Sequence, residues 1–95
     1  MVGVAEGGLA SVDGTGGNFP SDNLVTGNHM HETGVLTKQS SPYFQTVACH
    51  NNVTNNVMYN GPRAGINLND GFGGGDLISG NLIFNQVRET NDHGM

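Results

Sequence analysis

The chain has 95 residues, with 16 glycines, no tryptophan, only three basic residues and a formal charge of −5. So few cations argue against nucleic acid or an anionic membrane as partner, because both demand a cationic footprint. No apolar run approaches the roughly 18 residues of a membrane-spanning helix, and the single cysteine, Cys49, excludes an internal disulfide.

In chain order, Met1 to Gly17 carries neither the basic flank nor the apolar core of a signal peptide. Gly8-Leu9-Ala10-Ser11-Val12-Asp13-Gly14-Thr15-Gly16-Gly17 matches the later stretch Gly65-Ile66-Asn67-Leu68-Asn69-Asp70-Gly71-Phe72-Gly73-Gly74. A strand is therefore expected around Leu9, followed by a glycine-rich turn. Residues 1–22 read as a partial N-terminal unit, and 23–95 as one domain of repeats.

The first clear unit is Leu24-Val25-Thr26-Gly27-Asn28-His29-Met30-His31-Glu32. It is echoed by Asn52-Val53-Thr54-Asn55-Asn56-Val57-Met58-Tyr59-Asn60 and again by Leu77-Ile78-Ser79-Gly80-Asn81-Leu82-Ile83-Phe84-Asn85. The asparagines at 28, 56 and 81 are 28 (56 − 28) and 25 (81 − 56) residues apart. A fixed period of roughly 20–50 residues marks stacked units. Aligning the copies gives apolar columns, Val25/Val53/Ile78 and Met30/Met58/Ile83, expected to point inward. Thr26/Thr54/Ser79 is expected to face out, and Asn28, Asn56 and Asn81 to form a stacked amide ladder at a bend. A third strand is placed at Gly34-Val35, Gly65-Ile66 and Gly94-Met95, with the variable turn after it (Thr37 to Gln45 against Asn69 to Gly75). None of these segments has helical length or helical period.

Three short strands per period predict an all-β parallel solenoid of about three turns of chain, cut short at Met95. Stacked positions then lie about 4.8 Å apart.

Several residues invite chemistry. His29 and His31 share one strand face and are candidate metal ligands, with His50 or Glu32 as a third. His31 also shares a column with Tyr59 and Phe84, and ring stacking explains it more simply. Cys49, between uncharged neighbours, reads as a small packed residue. Asn52-Val53-Thr54 is a formal glycosylation sequon inside the repeat. Gly71-Phe72-Gly73-Gly74-Gly75 lacks the lysine of a phosphate loop and reads as a turn. Asp13, Asp70 and Asp76 in such turns suit Asx turns, with calcium as the alternative.

The run Gly65 to Gly75, then Gly80-Asn81-Leu82-Ile83-Phe84-Asn85, Val87-Arg88-Glu89-Thr90 and Asp92-His93-Gly94, resembles right-handed parallel β-helix repeat proteins of the pectate-lyase-like superfamily. The resemblance covers about Asn23 to Met95. It implies a right-handed parallel β-helix in an extracellular protein with a carbohydrate-related role. That role is polysaccharide lyase-like cleavage or glycan binding; the alternative is a non-catalytic structural or adhesin-type repeat. Enzymes of this kind place their cleft along one loop edge, which here carries Arg63, Arg88, Glu89, Asp92 and His93. Arg88 or His93 would be the base of an elimination. Arg63 would help hold an acidic sugar, and Glu89 with Asp92 would hold a cation such as calcium. A hydrolase would need a second carboxylate beside Asp92. Tyr59 and Phe84 are further sugar-binding candidates through their rings.

Overall fold

The computed structural model describes residues 4–6, 15–69, 73–92 and 94. They form nine short strands: β1 Val4–Glu6, β2 Leu24–Thr26, β3 His29–His31, β4 Tyr43–Thr46, β5 Asn52–Thr54, β6 Val57–Tyr59, β7 Ile66–Asn69, β8 Leu77–Ser79 and β9 Leu82–Phe84. Among the described residues there is no α-helix, only a 3-10 turn at Thr15–Gly17. The strands make three sheets of three, in the orders β1-β4-β7, β2-β5-β8 and β3-β6-β9, and all pairs are parallel. The chain thus visits the three sheets in turn, and each strand lies beside the one three earlier. That all-β, all-parallel order is consistent with a solenoid.

Register follows the repeat. Val25 pairs with Val53 and Val53 with Ile78, while Met30 pairs with Met58 and Met58 with Ile83. Met30, Tyr43, Val53 and Met58 form the buried cluster, with Val25, Ile66 and Ile83 packed on it. Burying a side chain of this size stabilises by about 1.5–3 kcal/mol, so the middle layer carries most of the apolar gain. The layer at β8 and β9 is more open: Ile78 is 42% exposed where its column-mate Val53 is 1% exposed.

The bends between strands also repeat. Asp22, His50 and Gly75 are left-handed (φ 61, 54 and 74), as are Gly27, Asn55 and Gly80, and then Glu32, Asn60 and Asn85. Gly75 is the tightest of these positions, because the His50 imidazole lies where a β-carbon on residue 75 would sit. A side chain there would meet both the ring and an unfavourable backbone angle.

The first sheet departs from the expected alignment. Its middle strand is Tyr43–Thr46, not the segment at Gly34-Val35, and it pairs Tyr43 with Ile66. Val35 is exposed instead, in the loop of residues 32–42. The extra length therefore falls before this strand rather than after it. The physical reason is burial: Tyr43 and Gln45 face inward, whereas Val35 and Leu36 point to solvent. At the N-terminus the strand is Val4–Glu6, which pairs with Tyr43–Gln45; Leu9, Asp13, Asp70 and the Gly71-Phe72 pair lie outside the described residues.

Candidate functional site

Asn28, Asn56 and Asn81 stand in file. The Asn28 backbone N–H and Nδ2 both donate to Asn56 Oδ1 at 2.9 Å. Asn56 repeats this on Asn81 Oδ1 at 2.9 and 3.0 Å, and its Nδ2 also donates to the Val25 carbonyl at 2.9 Å. The Asn56 and Asn81 side-chain oxygens thus satisfy the backbone N–H groups at the bends, while the Asn28 and Asn56 carbonyls accept from the N–H groups of Val57 and Leu82.

Two further ladders went unread in the sequence. Asn23 donates to Asn51 Oδ1 from its backbone N–H (3.0 Å) and Nδ2 (3.1 Å), and the Asn51 N–H donates to Asp76 Oδ1 at 2.9 Å. Gln45 ties this ladder to the core. It accepts from the Tyr43 hydroxyl at 2.7 Å and donates to Asp76 Oδ2 at 3.1 Å. Asp76 is therefore a ladder rung. The third ladder joins Glu32, Asn60 and Asn85: Asn60 Nδ2 donates to Glu32 Oε1 at 2.5 Å, and Asn85 Nδ2 donates to Asn60 Oδ1. The signal for it was available, since Glu32, Asn60 and Asn85 share the spacing of 28 and 25 residues.

The rings form a second file on the outside. His31 stacks on Tyr59 with centroids 5.0 Å apart and planes 5° apart, and Tyr59 stacks on Phe84 at 4.9 Å and 8°. Both faces of Tyr59 are thereby covered, which leaves its edge and hydroxyl to a ligand. Phe84, on the outer strand of its sheet among the described residues, is 42% exposed. His29 tilts against both His31 and Tyr59, at 5.0 and 5.3 Å. Among the described residues no three His, Cys, Asp or Glu side chains are grouped to hold a metal ion. Cys49 is buried, under Gly73.

The loop cluster divides into separate pairs. Arg63 grips Asp92 with two contacts, Nη2 to Oδ2 at 2.9 Å and Nε to Oδ1 at 3.4 Å. The hydrogen bond from Arg63 holds the Asp92 carboxyl below the usual aspartate range against a smaller opposing effect of desolvation, with further help from the guanidinium charge, the Asp92 backbone and Thr90. Arg88 faces Glu32 at 3.9 Å, and Lys38 binds Glu89 at 2.7 Å. His93 lies outside the described residues.

Arg88 and Glu89 come together with Glu32, Lys38, Thr33 and Asn60 around one groove of about 180 Å³, lined also by Gly61 and Pro62. Main-chain bonds hold its wall in place: the N–H groups of Arg88, Glu89 and Thr90 donate to the carbonyls of Gly61 and Pro62 at 3.0–3.3 Å. Arg63 and Asp92 do not line this groove. Lys38 and Thr33 had no sequence signal, because only the path of the 32–42 loop brings them there, and Pro62 had none in the 60–65 loop opposite.

No protein-family model, curated protein or solved structure matches the chain. Among the described residues no helix is long and apolar enough to cross a membrane.

Proposed function

We propose that this chain forms a right-handed parallel β-helix of an extracellular protein, and that it holds a polysaccharide without cleaving it. The observation that carries this reading is the groove itself. Planar donors and acceptors, Arg88, Asn60, Glu32 and Glu89, line it together with Gly61 and Pro62. Polar groups gathered around one groove suit a sugar, whose hydroxyls both donate and accept.

Binding is favoured over cleavage by the described candidates alone, since Arg63, Arg88, Glu89 and Asp92 each face an opposite charge. An elimination needs a base free to take a proton near neutral pH. Asp92 is held by Arg63 as a weak base, and Arg88 and Glu89 each face an opposite charge. The deciding experiment incubates the protein with insoluble and soluble polysaccharides and follows both retention and product release. Retention without new reducing ends or unsaturated products is expected. Release of product would return the reading to a lyase or hydrolase.

A structural repeat without ligand is the second reading, favoured by the ladders and the ring file, which join one layer to the next. It predicts no retention on any polysaccharide.

A further inference from the structure

We infer that the groove between Glu32, Asn60 and Arg88 selects a neutral glycan, presenting vicinal hydroxyls, and disfavours a uronate polymer. This rests on the carbohydrate reading above and names the sugar class for the same groove.

Charge is the first reason. Two cations, Lys38 and Arg88, line the groove beside two carboxylates, Glu32 and Glu89. They pair across it, Lys38 with Glu89 at 2.7 Å and Arg88 with Glu32 at 3.9 Å. A uronate would have to displace a carboxylate from its cation and then sit beside it, in a chain whose formal charge is −5. All four charged side chains are about half exposed, so each pair is weak and adaptable rather than locked.

Geometry is the second reason. The 3.9 Å gap from Arg88 Nη1 to Glu32 Oε2 is too long for a hydrogen bond. A single hydroxyl oxygen placed off the line between them reaches both groups, accepting from the guanidinium and donating to the carboxylate. A carboxylate ligand can do only half of this, since it has no proton to give Glu32. Glu32 is also oriented for the task, because its other oxygen accepts from Asn60 Nδ2 at 2.5 Å.

The test titrates the full 95-residue chain with cellohexaose, xylohexaose and hexagalacturonate, read by amide chemical shifts at low and high salt. At least one neutral hexasaccharide is expected to shift the Thr33, Gly34, Asn60 and Gly61 amides, with an affinity changing less than about twofold with salt. Hexagalacturonate should bind at least about tenfold more weakly. Glu32→Gln, which keeps the shape but loses the bridging acceptor, should weaken the neutral ligand about fivefold or more. The Asn28, Asn56 and Asn81 amides report whether that variant keeps its fold. Tighter, salt-sensitive binding of hexagalacturonate would overturn the neutral assignment and leave the carbohydrate reading standing. Failure of all three sugars to bind would overturn both.

Discussion

Arg63 reaches across one repeat to clamp Asp92, with two contacts on the two oxygens of one carboxylate. Two-point pairing of this kind is more directional than a single contact, and it fixes the end of the chain's last described loop to the layer before it. It also turns Asp92, a candidate of the loop edge, into a fastening.

The clamp sets a pH response. A carboxyl whose folded pKa lies below its unfolded value adds stability that is present above the unfolded pKa and disappears as pH falls through the folded one. The Asp92 carboxyl should therefore titrate below an ordinary aspartate in carboxyl-detected NMR, and Arg63→Ala should move the midpoint upward. An unchanged midpoint in that variant would show that the guanidinium is not the cause.

Asn56 should be the costliest asparagine to remove. It accepts two bonds from Asn28, donates to Asn81 and Val25, and is 1% exposed, whereas Asn28 has, among the described residues, a ladder partner on one side only. Asn56→Ala should lose about 3 kcal/mol in urea unfolding, and Asn28→Ala about 1 kcal/mol. Equal losses would mean that the ladder is not what holds this bend.

The ring file makes an ordered forecast. Tyr59 has a ring on each side and Phe84 a ring on one side. With each stacked pair worth about 0.5–1.5 kcal/mol, Tyr59→Ala should destabilise roughly twice as much as Phe84→Ala. Glycan retention should respond more to Phe84→Ala, since the Phe84 ring is 42% exposed while both faces of Tyr59 are covered. The reverse order in either assay would contradict the stacking geometry.

Gly75→Ala should cost about 1–2 kcal/mol from its positive φ alone, and more from the His50 ring above it. Removing the ring with His50→Ala in the same chain should recover the second part and not the first. A double-mutant cycle in thermal unfolding separates them.

Sequence alone made the second and third sheets legible, since strands that pair in parallel set like residues side by side: Val25 by Val53, Met30 by Met58. The first sheet was hidden because its steps are uneven. From Val4 to Tyr43 is 39 residues (43 − 4), and from Tyr43 to Ile66 is 23 (66 − 43). Its middle strand also buries Tyr43 and Gln45 through a polar network that no apolar pattern announces. Arg88 and Glu89 were visible as charges on a loop edge. Their partners Glu32 and Lys38 were not, because pairing between two loops depends on how each folds back, and periodicity carries no record of that.

The loop of residues 32–42 spans eleven positions between β3 and β4, against six (60–65) at the equivalent step between β6 and β7. Both neighbouring sheets keep their pairing despite the difference. Because that same loop supplies Glu32, Thr33, Gly34, Val35 and Lys38, the molecule separates what must stay constant from what can be rewritten. Under the glycan-binding proposal, recognition would be retuned by exchanging one surface excursion, as an antibody exchanges a hypervariable segment, while the frame beneath it is left untouched.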